Sequence, residues 1–410
     1  MKPVNAQQIT TLAEQYGTPL WCYDAAVIRD RINQLKQFDV IRFAQKSCSN
    51  THILRLMREQ GVAVDAVSLG ELERALAAGY QIDGSEGGVV LTSDLLDRAT
   101  LARVAELGVP VNAGSPQMLE QLGQISPGHR VWLRINPGFG HGHSQKTNTG
   151  GEQSKHGIWH EQLDEALALI DRYQLKLIGL HMHIGSGVDY SHLREVCSAM
   201  VALVKRAGRD IEAISAGGGL SIPYHRGGER IDTEHYFGLW DTARKEIEEH
   251  LGHKVTLEIE PGRFLVAESG QLIAEVRAKK NAGQNHFVLV DAGFSDLMRP
   301  AMYGSYHEIS LVRAATVVSG ATLPTVIAGP LCESGDVFTQ IEGGEVAPRE
   351  LPGAEIGDLA VFHDTGAYGA SMSSNYNSRP LIPEVLIDGN TVTLIRRRQT
   401  ITELLDLEKV

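Results

Sequence analysis

Lys46 ends the run Ile41-Arg42-Phe43-Ala44-Gln45-Lys46, which is β-branched and aromatic and gives way to the small polar residues Ser47-Cys48-Ser49-Asn50. A lysine at the C-terminal end of a strand is either a solvated end charge or a Schiff-base amine. The second role needs burial or a neighbouring cation to keep some of the amine neutral. Four other strand-like runs end in groups that suit such a lysine. They are Leu133-Arg134-Ile135-Asn136, His181-Met182-His183-Ile184-Gly185-Ser186-Gly187, Ser215-Ala216-Gly217-Gly218-Gly219 and Glu258-Ile259-Glu260-Pro261-Gly262-Arg263. A triple glycine lets backbone N–H groups come close to a phosphate. His181 and His183, two residues apart, share one side of a strand. They can bind zinc, or one can lie flat on an aromatic cofactor ring while the other is structural. A lysine, a phosphate cradle, a flat ring and an acid together suggest pyridoxal phosphate. Glu260 would keep the pyridine nitrogen protonated, which makes the ring an electron sink.

A zinc-dependent hydrolase is the rival reading of the histidine pair. No further His or Asp at the later strand ends completes a ligand set, so no metal is expected. His141 and His143 lie in a Gly-, His-, Ser- and Thr-rich stretch from Pro137 to Gly157. That stretch is too long for an ordinary strand-to-helix connection and reads as a functional loop. Its histidines read as polar loop residues.

The elements that must position these groups alternate regularly from Ile41 onward. Strands are expected over 41–46, 63–68, 88–93, 110–115, 130–136, 176–184, 211–216 and 256–260. Amphipathic helices are expected over 71–78, 95–107, 116–124, 160–173, 189–207 and 235–251, with Ser68 and Glu71 as a capping box and Gly79 as a stop. Eight such strands make a (β/α)₈ barrel, whose chemistry sits at the C-terminal strand ends. An open doubly wound sheet is disfavoured because no early strand carries a Gly-rich dinucleotide turn. After about residue 266 strand-like runs follow one another, with Asp388-Gly389-Asn390 as a tight hairpin turn. The expected organisation is an N-terminal segment over 1–25 adding a strand to the β domain, a barrel over 26–265 and a mostly β domain over 266–410. The fold class is α/β.

The chain has 410 residues, 42% of them hydrophobic, and a formal net charge of −12. An acidic chain disfavours nucleic acid and anionic membrane as partners, and an anionic substrate would need local arginines. Cys22, Cys48, Cys197 and Cys332 are scattered, without metal spacing or a disulfide framework, as in a reducing cytosol. No signal-like start and no run approaching the ~20 apolar residues of a span is seen, so a cytoplasmic protein is expected.

The whole chain resembles the fold-type III pyridoxal-phosphate decarboxylases. The resemblance rests on Phe43-Ala44-Gln45-Lys46, Asp65-Ala66-Val67-Ser68-Leu69-Gly70-Glu71, His181-Met182-His183-Ile184-Gly185-Ser186, Gly217-Gly218-Gly219 and Glu260-Pro261-Gly262-Arg263. It continues through Arg299-Pro300-Ala301-Met302-Tyr303-Gly304, Gly329-Pro330-Leu331-Cys332-Glu333-Ser334-Gly335-Asp336 and Asp364-Thr365-Gly366-Ala367-Tyr368-Gly369. One departure is Ala-Gln-Lys-Ser-Cys-Ser-Asn where many relatives read Ala-Val-Lys-Ala-Asn, which suggests a subgroup with its own contacts beside the ring.

The resemblance implies that Lys46 carries the cofactor and His183 stacks on its ring. Ser186, Gly219, Glu260, Pro261, Gly262, Arg263 and Tyr368 would hold phosphate and ring, with Arg134 near the ring hydroxyl. Arg263, Arg299, Tyr303, Glu333 and Tyr368 would bind a small amino-acid substrate, and Cys332 would donate a proton after CO₂ leaves. Asp336 and Asp364 carry no assigned role. In this family the Cys332–Glu333 loop reaches the partner subunit's site, which implies a homodimer with shared active sites. Within the family the match is nearest to members that act on meso-diaminopimelate, removing the carboxylate at its D-centre to give L-lysine. A sister decarboxylase for ornithine or arginine is the nearest alternative, but those substrates have no far carboxylate for an Arg-Pro-x-x-Tyr site. A catalytically silent cofactor-binding relative is the other, and it would not need both Lys46 and Cys332.

Overall fold

The computed structural model describes residues 5–82, 88–140, 149–183, 190–225 and 227–410, with Ser191 described in its backbone only. Ser186, His141 and His143 lie outside the described residues. The chain divides into two compact units, one of residues 30–221 and 230–265, the other of residues 1–29, 222–229 and 266–410.

The first unit is a closed parallel barrel of eight strands. In chain order they are Val40–Ala44, Ala63–Ala66, Val89–Ser93, Val111–Ala113, Arg130–Asn136, Lys176–His181, Ala213–Ser215 and Thr256–Ile259. Each pairs in parallel with the next, and Glu258 opposite Val40 closes the ring. The expected (β/α)₈ barrel is therefore the fold. Helices Thr51–Glu59, Leu69–Ala77, Arg98–Leu107, Pro116–Ile125, Leu163–Tyr173, Tyr190–Ala207 and Thr233–Leu251 follow the strands. Five of them, all but Leu163–Tyr173 and Tyr190–Ala207, form from an amphipathic run behind a polar side chain that caps the first turn. In Thr51–Glu59, Asn50 Oδ1 accepts from His52 N at 3.0 Å, and Ile53, Leu54, Leu56 and Met57 turn inward.

Several boundaries differ from the expected ones because the chain turns away from the ladder at the barrel mouth. Lys46 stands past the first strand, in the 3₁₀ turn Gln45–Ser47, where Cys48 N returns to Gln45 O at 2.9 Å. The sixth strand stops at His181, short of His183, so the two histidines do not share a strand face. The seventh stops at Ser215, since Gly217 takes a φ of 61° that turns the chain. A two-residue strand, Ile158–Trp159, adds to the fifth strand beyond the expected set. The capping box at Ser68 forms by half: Ser68 Oγ accepts from Glu71 N at 3.2 Å, but the Glu71 carboxylate accepts from Val67 N at 2.9 Å. Inside the barrel Arg42 grips Glu258 through two hydrogen bonds of 3.0 Å, tying the first strand to the eighth.

The second unit is built on a ten-stranded sheet. The long strand Gly270–Ala282 pairs antiparallel with Leu20–Asp24, Asn285–Val290 and Leu359–Phe362. Leu20–Asp24 also pairs in parallel with Glu384–Asp388, which forms a hairpin with Thr391–Arg396 through Gly389 and Asn390. Ile309–Arg313, Thr322–Ala328 and Arg349–Pro352 extend the sheet. Ile9 and Leu12 of the first helix, Ala6–Tyr16, bury against Leu20, Ile273, Val312, Val361 and Val385. The segment Ile222–Glu229 follows the triple glycine in sequence yet groups with this unit.

Candidate active site

At the mouth of the barrel the strand ends gather charges that would be costly alone in a buried place. Glu260, just past the eighth strand, is buried and accepts a 2.7 Å hydrogen bond from His181 Nε2, which fixes the proton on that nitrogen. Burial raises the carboxyl's pKa, but His181, Arg42 and Arg134 outweigh it, so Glu260 titrates below the usual range. Asp65, at the end of the second strand, goes the other way. Burial first, then the charge of Glu260, hold it well above the ordinary carboxyl range, although Thr92 and Lys46 favour its ionised form. Two neighbouring carboxyls therefore part: Glu260 keeps the negative charge and Asp65 tends to keep a proton. Glu71 is likewise raised by burial, with Lys46 among the groups that oppose the rise.

His183 accepts at Nδ1 from Gly218 N, 2.8 Å away. Burial, then Arg134 and Lys46, hold its pKa well below the ordinary histidine value, so the ring is neutral at pH 7. The triple glycine is fixed on both sides. Glu260 N donates to Gly217 O at 2.7 Å, and Gly219 takes a φ of 100°. A Cβ on Gly217 would come within 2.2 Å of Met182 O, and one on Gly218 within 2.4 Å of Glu260 O, so the backbones can meet only as glycine. A Cβ on Gly262 would meet Ser47 Oγ at 3.1 Å, which sets the Glu260–Arg263 turn against the Lys46 turn. Lys46, Arg134, His183, Gly217–Gly219 and Glu260–Arg263 are thus brought to one mouth. His181 and His183 each have a partner of their own, which gives them separate duties.

Three further groups there had no role assigned from the sequence: Asp65, the Arg42–Glu258 pair and Asp94. Asp94 binds His156 Nδ1 at 2.5 Å and Gly157 N at 2.9 Å, pinning the end of the Pro137–Gly157 segment beside the third strand. Only the position of Asp94, one residue past a strand, offered a signal.

The remaining candidates belong to the β unit. Arg299 and Tyr303 bound a short helix that stops at Gly304, where a Cβ would lie 2.1 Å from Glu342 N. Cys332 and Glu333 occupy a turn, and Cys332 is exposed while Cys22, Cys48 and Cys197 are buried. Burial pushes the Cys22 and Cys197 thiols up to about 12, which makes them poor nucleophiles. The turn is held by Asp336, which carried no assigned role. Its carboxylate accepts from Leu331 N and Phe294 N, each at 2.7 Å, while Asn377 Oδ1 accepts from Cys332 N at 2.8 Å. Tyr368 has a φ of 58°, a left-handed conformation unusual for an aromatic residue.

The family described as pyridoxal-dependent decarboxylase, pyridoxal binding domain, matches residues 25–267. The diaminopimelate decarboxylase of Streptomyces coelicolor is 68% identical over 98% of this chain and 92% of its own. The chain is a pyridoxal-dependent decarboxylase of the diaminopimelate decarboxylase family. A crystal structure of a diaminopimelate decarboxylase superposes with a TM-score of 0.96 at 66% identity, covering 98% of this chain and 96% of that one. The Helicobacter pylori diaminopimelate decarboxylase complexed with L-lysine superposes with a TM-score of 0.86 at 30% identity, covering 98% and 99%. The barrel mouth suits the family's cofactor: a lysine amine, a buried ionised carboxylate, a neutral histidine and a glycine turn rich in backbone N–H groups lie together.

The Asp336 geometry predicts a measurable loosening. Replacing it with Ala leaves one buried and one part-buried N–H group without their acceptor, and hydrogen bonds to a charged group are worth about 1.5–3 kcal/mol each. Amide exchange at Leu331 and Phe294 should accelerate by at least about tenfold in Asp336→Ala. Unchanged exchange at both would mean that the carboxylate does not hold the turn.

Proposed function

We propose that this protein decarboxylates meso-2,6-diaminopimelate at its D-centre, giving L-lysine and CO₂ as the last step of lysine biosynthesis. The observation that carries the reading is the barrel mouth, where Lys46 stands among the carboxyl groups of Asp65, Glu71 and Glu260 and the neutral ring of His183. Full-length similarity to diaminopimelate decarboxylases supports the substrate.

In this reading Lys46 would hold pyridoxal phosphate through its ε-amine. His183 would support the ring, Glu260 would pair with the pyridine nitrogen, and Arg134 would serve the ring hydroxyl. Ser186, Gly219, Pro261, Gly262, Arg263 and Tyr368 complete the hold on phosphate and ring. Pyridoxal phosphate, when bound, supplies the electron sink for the pair left on the α-carbon as CO₂ departs. His181 keeps Glu260 oriented and ionised, as that pairing needs. Cys332 then gives its thiol proton to the same carbon. Arg263, Arg299, Tyr303, Glu333 and Tyr368 bind the substrate, Arg299 reading the far carboxylate. A guanidinium can grip that group through two parallel hydrogen bonds. The Helicobacter pylori relative's L-lysine retains this carboxylate, so the product should occupy the same place here.

The protein is further proposed to be a cytoplasmic homodimer, in which Cys332 and Glu333 of one subunit serve Lys46 of the other. Its barrel, over 26–265, acts as the cofactor domain and 266–410 as the β domain, joined by a strand from 1–25. No helix among the described residues is long and apolar enough to cross a membrane.

CO₂ release from a panel of meso-diaminopimelate, ornithine, arginine and lysine, with and without added pyridoxal phosphate, tests the function. Release from meso-diaminopimelate alone, dependent on the cofactor, is expected. Preferred release from ornithine or arginine would assign the chain to a sister activity, and none from any substrate to a silent relative. The shared site has its own test. Cys332→Ala and Lys46→Ala subunits should each lose most turnover, since a positioned acid alone contributes typically ~10²–10⁴-fold. Mixed together they should regain part of it, because one hybrid site is intact. No recovery after verified subunit exchange would mean that each subunit completes its own site.

A further inference from the structure

The cation proposed to read the far carboxylate is not left to find its own direction. Arg299 is buried, and its guanidinium carbon lies 4.8 Å from the centre of the Tyr224 ring. Its Nη1 is 3.0 Å from His307 Nε2, and His307 Nδ1 is 2.8 Å from the backbone carbonyl of His363. These two contacts settle the state of the imidazole. A guanidinium nitrogen can only donate, so Nε2 accepts; a carbonyl oxygen can only accept, so Nδ1 carries the proton. His307 is therefore a neutral ring in one tautomer, with both nitrogens committed.

The supports of His307 are themselves fixed. Arg349 Nη1 donates to the His307 carbonyl, and its guanidinium carbon lies 4.1 Å from the Tyr306 ring centre. His363 Nε2 is 2.9 Å from Ser310 Oγ. The Tyr224 ring meets His307 edge-on, with centroids 5.5 Å apart, and His225 stacks on Tyr306 at 4.0 Å. Tyr224 and His225 come from Ile222–Glu229, the segment that leaves the barrel's triple glycine and groups with the β unit. The excursion thus sets the Tyr224 ring against Arg299 and His307, and the His225 ring on Tyr306.

We infer that His307 and Tyr224 are positioning residues that hold the Arg299 guanidinium in one orientation, and so set the preference for a substrate with a far carboxylate. This rests on the reading of Arg299 under Proposed function. A face of the guanidinium is occupied by an aromatic ring and one donor by an imidazole, which limits how the remaining donors can point. Bidentate recognition of a carboxylate depends on such alignment. His307 makes no contact with the substrate in this scheme; it acts through Arg299.

The test uses the holoenzyme and reads KM and kcat for meso-diaminopimelate together with inhibition by L-lysine, which keeps the far carboxylate, and by cadaverine, which lacks it. His307→Leu removes the acceptor. It should raise KM and the L-lysine inhibition constant by about tenfold, the value of one charge-assisted hydrogen bond. Cadaverine inhibition, kcat and the absorbance of the bound cofactor should stay within about twofold. His307→Gln offers an oxygen to Arg299 and an amide N–H to His363, and should recover most of the loss. Tyr224→Leu, at a partly exposed ring, should move KM and L-lysine inhibition in the same direction, and serves as the test if His307→Leu fails to fold. The inference is overturned if these variants leave both constants within about twofold while Arg299→Met raises them at least tenfold. If Arg299→Met also leaves them unchanged, the reading of Arg299 fails and this inference with it. Equal weakening of cadaverine and L-lysine would likewise overturn it, by showing a general collapse of the site.

Discussion

A negative charge buried in a barrel must be matched, and the matching of Glu260 organises this mouth. Glu258 and Glu260 are two residues apart at the end of the eighth strand, so the chain brings two carboxylates inward. Arg42 takes the first in a two-pronged grip and His181 takes the second. Breaking such a buried pair leaves an uncompensated charge, typically at a cost of about 3–5 kcal/mol. Burial, reinforced by the charge of Glu260, pushes Asp65 towards its protonated form, and burial, reinforced by Arg134 and Lys46, holds His183 neutral. Burial and neighbouring charge together set the protonation states around Lys46. A cofactor with a basic ring nitrogen, an aldehyde and a phosphate would find there a carboxylate, an amine and a glycine turn rich in backbone N–H groups.

In the β unit Arg299 stands on a short helix and Cys332 in a turn, rather than on strands. Such short pieces of chain need internal anchors, and both have them. The Cys332 turn hangs on the carboxylate of Asp336 and the side-chain oxygen of Asn377. The Arg299 helix is only five residues long and ends at a glycine that no other residue could replace without meeting Glu342. Its arginine is held by rings instead of by helix length.

The barrel was legible because its pattern is local: eight β-branched runs separated by amphipathic ones, each long enough to show its period. Lys46, His183, the triple glycine and Glu260 were legible because strand ends converge in any such barrel. The sequence did not disclose what depends on pairing across the fold. Nothing near Arg42 announces Glu258, 216 residues away, and Asp336 reads as an ordinary turn aspartate until two N–H groups are seen to point at it. The end of the sixth strand was placed too late, since His-Met-His alternates as a strand does while the chain has already turned to Gly218. His307 was invisible for a similar reason, because its two partners come from Arg299 and from a backbone carbonyl 56 residues on.

If the charges at the barrel mouth are arranged around Lys46 to hold pyridoxal phosphate, borohydride reduction of the cofactor-loaded protein, followed by proteolysis and mass spectrometry, should fix the cofactor there. A phosphopyridoxyl group is expected on the peptide containing Lys46, and none on the other lysines. A label mapped to any other lysine, with Lys46 unmodified, would contradict that arrangement.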